Sequence, residues 1–200
     1  MEQKTTLPAD LQRSQEIDSR YGSVENAIIK LHPNTIQNAL YKYSIKSNKQ
    51  AYLTDSITLS TFCKAYSRNS VLGLIEIWLF ELSEFVGVNG KLNESQIKQL
   101  ANMVYSDAYA LNFAEFGLFF SRVKSGYYGE FFGNVDPIKI MTFLGQFLIE
   151  RSQSVEEYNK ELDQDKKRQD FQNCLNMQLT DEQKKDIENI MNNFIKQMKR

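Results

Sequence analysis

The chain is poor in cysteine, histidine and proline, and each shortage excludes a class of protein. Its 200 residues include two cysteines, one histidine and three prolines. Cys63 and Cys174 lie more than a hundred positions apart and form no Cys-x-x-Cys pair. Neither a structural zinc site nor a disulfide-stapled secreted domain is therefore predicted. The chain has only nine glycines as well, and this composition favours helices over a many-turned β-sandwich.

A strong net charge and a long apolar run are also missing. The 24 basic side chains nearly balance the 25 acidic ones, so no global field draws the chain onto nucleic acid or an anionic membrane. The longest apolar run, residues 71–86, is too short to span a bilayer and is interrupted by Glu76, Glu81 and Glu84. The opening MEQKTTLPADLQRSQE lacks the apolar run of a signal peptide. We therefore expect a cytoplasmic protein without a membrane span.

The groups that catalysis needs are scarce too. His32 stands alone before Pro33, and no serine triad or nucleophile elbow can be assembled around it. The carboxylates of Glu76, Glu81 and Glu84 are expected to form a solvated helix face, since a metal site there would need ligands from another helix. The sequence therefore predicts no enzyme, no metal and no cofactor.

Hydrophobic periodicity predicts an all-α fold. Residues 71–86 are apolar nearly all round, which indicates a central buried helix with Trp78 in the core. Residues 56–70 fit both strand alternation and helical spacing, and the longer helical pattern favours a helix. Residues 47–56 are predicted to be a loop. Capping signals predict that further helices begin after Ser23, Asn34, Asn93, Asn112 and Asp136.

The composition predicts three parts: a helical, partly flexible arm over residues 1–50, a core helical domain over residues 51–151 and a helical extension over residues 152–200. The extension is highly charged up to residue 167. A Thr180–Gln183 capping box then precedes a narrow apolar seam over residues 187–198. This seam either folds back on the core or binds a partner, and a second copy of the chain would make it a homo-oligomer interface.

The most distinctive stretch is a loop over residues 125–135 that alternates glycines with aromatic pairs. In one interpretation, Arg122, Lys124 and Lys139 bind phosphates and the aromatic rings stack on the bases of single-stranded nucleic acid. In the other, the loop is a turn between antiparallel helices whose phenylalanines fill the core. Only one ring of each adjacent pair can point inward. The candidate binding residues are Arg122, Lys124, Gly126, Tyr127, Tyr128, Gly129, Phe131, Phe132 and Lys139.

The glycines of this loop do not form a nucleotide-binding fingerprint. The text GYYGEFFG differs from GxGxxG, no strand is predicted before it, and no P-loop lysine follows. A second basic feature lies between positions 30 and 68, a stretch that contains six basic residues and a single acidic residue, Asp55. This basic segment could extend a nucleic-acid surface beyond the loop.

One further pattern spans the loop and the start of the helix after it, and it is formed by Phe120, Arg122, Lys124, Gly126, Tyr128, Gly129, Phe131, Gly133, Val135, Asp136, Pro137 and Ile140. With this pattern, the order of motifs from about residue 54 to residue 151 resembles an uncharacterised family of small helical proteins carried by gut anaerobes and by their phages and mobile elements. The resemblance implies an accessory of DNA replication or processing. We therefore expect a non-enzymatic protein that binds single-stranded nucleic acid or a replication or phage protein through residues 122–136; the alternative is a protein-interaction or self-association module.

Overall fold

The computed structural model describes residues 17, 19–86, 90–176, 183–186 and 188–190. Within these residues the regular structure is helical, and β-type pairing is limited to two isolated bridges. The predicted all-α fold is confirmed. The numbered helices are α1 (Val24–Lys30), α2 (Pro33–Lys42), α3 (Asn48–Tyr52), α4 (Leu59–Ala65), α5 (Arg68–Val86), α6 (Glu94–Ala108), α7 (Phe113–Lys124) and α8 (Pro137–Asn176). Residues 17 and 19–21 are helical as well.

Most of the predicted helix starts are confirmed. Ser23 caps α1, and Asn93 and Asn112 form complete capping boxes with the glutamine or glutamate three residues later. Asp136 accepts a hydrogen bond from the amide of Ile138 at 2.8 Å, so α8 begins at Pro137 as expected. The ambiguous segment 56–70 is mostly helical, because α4 and the start of α5 occupy it, although Thr58 forms an isolated bridge with Asn112 and residues 66–67 separate the two helices.

Two local predictions are wrong. Asn34 does not cap α2, because the helix begins at Pro33. The capping residue is His32, whose Nδ1 accepts a hydrogen bond from the backbone amide of Asn34 at 3.3 Å. Proline suits the first helical position because its missing N–H has no partner there in any case. Residues 47–56 are not all loop, because they contain α3. Its start is a Ser47–Gln50 capping box, a local signal present in the sequence.

The core is centred on α5 and α7. Trp78 is fully buried, and its indole N–H donates to the carbonyl of Leu31 at 3.2 Å. Its ring packs against Phe116 and Phe120 of α7 at centroid distances of 5.4 and 5.0 Å. Residues 113–120 of α7 are all buried, so this helix contacts protein on every side. Gly117 lets α2 approach, since a Cβ there would lie 2.5 Å from Ile36 Cγ2.

A buried polar network joins α3, α7 and α8. Glu115 is 1% exposed and accepts a hydrogen bond from Arg151 Nε at 2.7 Å. The side-chain amide of Asn112 donates to the carbonyl of Ala51 at 3.1 Å. Residues before position 51 contact the core as well, since Trp78 donates to the carbonyl of Leu31 and Lys124 donates to Gln37 Oε1, and Leu31 and Leu40 are buried.

The chain divides into two compact units, residues 1–156 and residues 157–200. Residues 159–173 of α8 are exposed, as their composition predicts. The proposed domain boundaries at positions 50 and 151 stay predictions. The Thr180 cap and most of the 187–198 seam lie outside the described residues; residues 183–186 and 188–190 are helical, and Ile190 is 69% exposed.

Candidate functional site

The loop begins with a hydrogen-bonded helix end. The amide of Gly126 donates to the carbonyl of Val123 at 3.1 Å, and the amide of Tyr127 donates to that of Arg122 at 3.0 Å. These two bonds form a Schellman motif, which needs a left-handed residue just after the cap. Gly126 supplies it with φ of +73°. The predicted glycine therefore has a defined turn role, and it brings Tyr127 and Tyr128 back beside α7.

The far end of the loop is tied to the segment before α6. The amide of Gly90 donates to the carbonyl of Gly133 at 3.1 Å, and the amide of Val135 donates to the carbonyl of Gly90 at 2.8 Å. A Cβ on Gly90 would lie 2.2 Å from Asn134 Oδ1, so a larger residue there would force the Asn134 side chain to move. Val135 is buried, and the next residue caps α8. Both ends of the loop are thus fixed.

The aromatic pairs divide between the interior and the surface. Tyr128 stacks on Phe143 at a centroid distance of 5.8 Å, and Phe131 meets the same ring edge-on at 5.7 Å. Tyr127 is 61% exposed and Phe132 is 80% exposed. One ring of each pair points inward, as predicted, and the interpretation in which both phenylalanines fill the core is wrong. Gly129, with φ of +119°, lies against Phe143.

Arg122 is held by an internal polar cluster. Its guanidinium lies 2.9 Å from Glu150 Oε2 and donates to the Tyr128 hydroxyl at 3.3 Å. That hydroxyl donates to Glu150 at 3.3 Å. Burial raises the pKa of Tyr128 to about 12, although the nearby guanidinium opposes the shift. The Arg122 side chain is 14% exposed, so its charge is compensated within the chain.

Lys124 is even less accessible, with its side chain 8% exposed. Its ammonium lies 2.6 Å from Oε1 and 2.5 Å from Oε2 of Glu81 on α5. It also donates to Gln37 Oε1 at 3.0 Å and lies 4.9 Å from the centre of the Phe85 ring. The prediction that Glu81 belongs to a solvated helix face is therefore wrong, because its carboxylate is partly buried and forms an ion pair with Lys124.

Lys139 completes the set of predicted cations. Its ammonium donates to the carbonyl of Glu130 and lies 5.2 to 5.8 Å from the rings of Phe131, Phe132 and Phe143. A cation over aromatic faces is attracted by their quadrupoles. All three predicted phosphate ligands thus already contact oxygen atoms of the chain.

Three residues of this region were not predicted as part of the site from the sequence: Glu81, Ile138 and Glu150. Glu150 and Glu81 lie 28 and 43 residues from the cations that they pair with, and no local pattern marks such pairs. Ile138 is 76% exposed at the start of α8. A sequence signal for it existed, because position 138 falls off the apolar stripe formed by Ile140, Leu144 and Phe147.

The exposed apolar side chains of this region are Tyr127, Phe132 and Ile138, which we call the outer set. Phe132 borders a cleft of about 380 Å³ whose lining also includes Lys91, Gln96 and Asp136. Both a cation and a carboxylate therefore flank an exposed aromatic ring. Such a combination suits a partner that offers an apolar side chain together with polar groups.

The described residues contain neither a helix long and apolar enough to cross a membrane nor a group of three or more His, Cys, Asp or Glu side chains that could hold a metal ion.

The helices and their fixed loop define an all-α protein that exposes aromatic side chains on the loop between α7 and α8. Residues 91–189 match the sequence model of a family of unknown function (DUF6633). The matched region contains α6, α7, the loop and α8. It agrees with the resemblance to an uncharacterised family, while an origin in gut anaerobes and mobile elements stays an expectation. Comparisons with curated proteins and with solved structures find no match.

Proposed function

We propose that this chain is a non-enzymatic binding protein that docks a partner protein through the outer set. The observation that carries the proposal is the exposure of Tyr127 and Phe132, at 61% and 80%, on a loop fixed at both ends, together with that of Ile138, at 76%, in the first turn of α8. Aromatic anchors supply much of the binding energy at protein interfaces. A pre-fixed loop also loses little conformational entropy on binding.

The positions of the cations favour a protein over single-stranded nucleic acid. Residues two apart on a helix point in nearly opposite directions, so Arg122 reaches Glu150 on α8 while Lys124 reaches Glu81 on α5. One phosphate backbone could not easily contact both.

Releasing Arg122 or Lys124 from its carboxylate partner, so that it could bind a phosphate, would also cost free energy. Breaking a buried ion pair costs about 3–5 kcal/mol, and less where solvent screens it as it does at Glu150. A phosphate contact at physiological salt would have to offset that loss.

The resemblance narrows the class of partner. A mobile-element setting and a cytoplasmic location, both expected from the sequence, make a protein of DNA replication or processing the first candidate. The basic segment between positions 30 and 68 supports an encounter with an acidic surface, since Lys42, Lys46 and Lys64 are exposed. Charge of this kind raises association rates more than final affinity.

Site-specific crosslinking tests the proposal. A photo-reactive phenylalanine analogue replaces Phe132 in the native host, and the matched control replaces Tyr41, which is 90% exposed on α2. We expect one discrete protein adduct from position 132 and none from position 41. The captured protein is then purified and titrated against wild type and the Tyr127→Ser/Phe132→Ser variant. A loss of at least tenfold in affinity supports the proposal, and an unchanged affinity overturns it.

A nucleic-acid titration tests the competing interpretation, in which the loop binds single-stranded nucleic acid instead of a protein. Fluorescence anisotropy of a labelled single-stranded oligonucleotide is measured at two salt concentrations. We expect no binding that depends on the loop. Binding that falls steeply with salt and disappears in the Tyr127→Ser/Phe132→Ser variant would establish nucleic acid as the partner and reject protein docking.

A further inference from the structure

An apolar groove of about 410 Å³ lies between α5 and α6, and it shares no lining residue with the cleft that Phe132 borders. Gly73, Ile77 and Phe80 line it from α5, and Leu92 and Ile97 line it from the α6 side. Phe80 is 56% exposed although it belongs to α5, a helix with seven buried residues. A Cβ built on Gly73 meets no atom within 4 Å, so the glycine leaves open space in this face of α5.

The rim of the groove carries a small negative charge. Glu76 and Glu94 both border it. Lys98 pairs with Glu94 at 2.6 Å, which leaves one net negative charge among these three side chains. The groove therefore suits an apolar segment that carries positive charge.

We propose that this groove binds residues 187–198 of a second copy of the chain. The sequence of that segment places apolar residues at helical spacing, which is the pattern of an amphipathic helix bound in a groove. Ile190 is 69% exposed in the single chain and so has an apolar side chain left for a partner to cover. The segment offers Ile187, Ile190, Met191, Phe194, Ile195 and Met198 as its apolar side, with Lys196, Lys199 and Arg200 beside it.

The basic end of the segment complements the acidic rim of the groove. Each copy carries one groove and one segment, so a reciprocal exchange satisfies both in two copies and closes the assembly as a symmetric dimer. This interface uses no residue of the outer set. Dimerisation and partner docking can therefore succeed or fail independently.

Light scattering on the full-length chain tests the dimer. We expect a mass twice the 23.3 kDa of one chain for wild type, and the mass of one chain for Gly73→Phe, which fills the groove, and for Ile190→Asp. Gly73→Ala is the matched control, because it adds only a methyl group into open space. It should stay dimeric and unfold at a higher temperature than wild type, since alanine favours a helix over glycine.

A peptide titration tests the groove directly. The probe is a fluorescently labelled synthetic peptide of residues 183–200, titrated into full-length Ile190→Asp, whose groove is free. Adding Gly73→Phe should weaken binding at least tenfold, and adding Glu76→Lys should weaken it several-fold and remove part of its salt dependence.

Three results would overturn the proposal. They are a single-chain mass for wild type throughout the micromolar range, a dimer that persists in Gly73→Phe, and peptide binding that Gly73→Phe leaves unchanged. The Tyr127→Ser/Phe132→Ser variant should remain dimeric, so a failure of the loop proposal would not be mistaken for a failure of this one.

Discussion

The two sides of the loop use similar residue types for different purposes. On the inner side, Arg122 and Tyr128 share Glu150, and Phe131 packs on Phe143. On the outer side, Tyr127 and Phe132 expose most of their rings. The inner residues pack within the chain, whereas the outer residues expose most of their surface, which is the basis of the proposed partner binding. Adjacent aromatic residues in a sequence therefore need not share a role, and a cation beside a glycine-rich loop need not bind phosphate.

The difference arises from helix geometry and side-chain length. The long side chains of Arg122 and Lys124 extend in opposite directions from the end of α7 and reach carboxylates on α8 and α5. Each pair links α7 to a neighbouring helix within the first unit. The outer rings also lie beside cations, since the Arg122 guanidinium is 4.9 Å from the centre of the Tyr127 ring and the Lys139 ammonium is 5.2 Å from the centre of the Phe132 ring. Most of each outer side chain is nevertheless exposed. Substitutions on the two sides should accordingly separate stability from binding.

The largest effect is expected from the best-buried cation. Lys124→Ala leaves the carboxylate of Glu81 partly buried without its ammonium partner, and we expect the free energy of unfolding to fall by about 3 kcal/mol. Urea denaturation followed by circular dichroism measures the change. Lys124→Met combined with Glu81→Met should recover most of the loss, because two apolar groups of similar size can replace an ion pair. A double variant as unstable as the single one would contradict this account.

A smaller loss is expected from the turn that separates the two sides. Gly126→Ala places a Cβ at φ of +73° and should lower the free energy of unfolding by about 1–2 kcal/mol. Gly145→Ala is the matched control. Gly145 lies inside α8, and a Cβ there meets no atom within 4 Å, so alanine should stabilise the protein by up to about 1 kcal/mol. Equal effects of both substitutions would mean that the turn conformation is not required.

The fold could be predicted from sequence wherever the determining signal is local. The boxes at Asn93 and Asn112 each combine a cap with a partner three residues away, and both predicted helix starts are confirmed. The start of α3 obeys the same rule at Ser47. That helix has only five residues, too few to show the apolar periodicity that identified its neighbours.

The site could be predicted only in part, because its electrostatics depend on the tertiary fold. The inward–outward division of Tyr127 from Tyr128 follows from adjacency alone. Nothing near Lys124 in sequence indicates that Glu81 lies beside it, since the pair forms only when α5 and α7 pack together. Whether a cation is free for a ligand is a property of that packing, and so the sequence overstated the positive charge available at the loop.

The dependence of folding stability on alkaline pH tests the role of Tyr128 on the inner side of the loop. At pH 8, Tyr128→Phe removes the hydrogen bonds to Arg122 and Glu150, and we expect a loss of about 1 kcal/mol in the free energy of unfolding. The folded-state pKa of about 12 exceeds the ordinary value of 10.0 because the phenol is buried. The contribution of the protonated phenol is therefore complete below pH 10 and is lost as the pH rises toward 12.

The difference in the free energy of unfolding between wild type and Tyr128→Phe should therefore become smaller as the pH rises from 10 towards 12. Measuring both proteins by urea denaturation at each pH cancels the effects of groups that they share, including Tyr21, whose pKa is also raised by burial. A gap that stays constant over this interval would show that Tyr128 titrates as it does in the unfolded chain.

The smallest effect on stability is expected on the outer side, and it is the most informative for function. Tyr127→Ser combined with Phe132→Ser removes two exposed rings and should change the free energy of unfolding by less than about 0.5 kcal/mol per site. Phe131→Ser, the matched inner change, removes a ring that packs on Phe143 and should cost clearly more. If the outer variant proved as unstable as the inner one, the outer rings would serve the fold, and the assignment of this surface to partner binding would lose its basis.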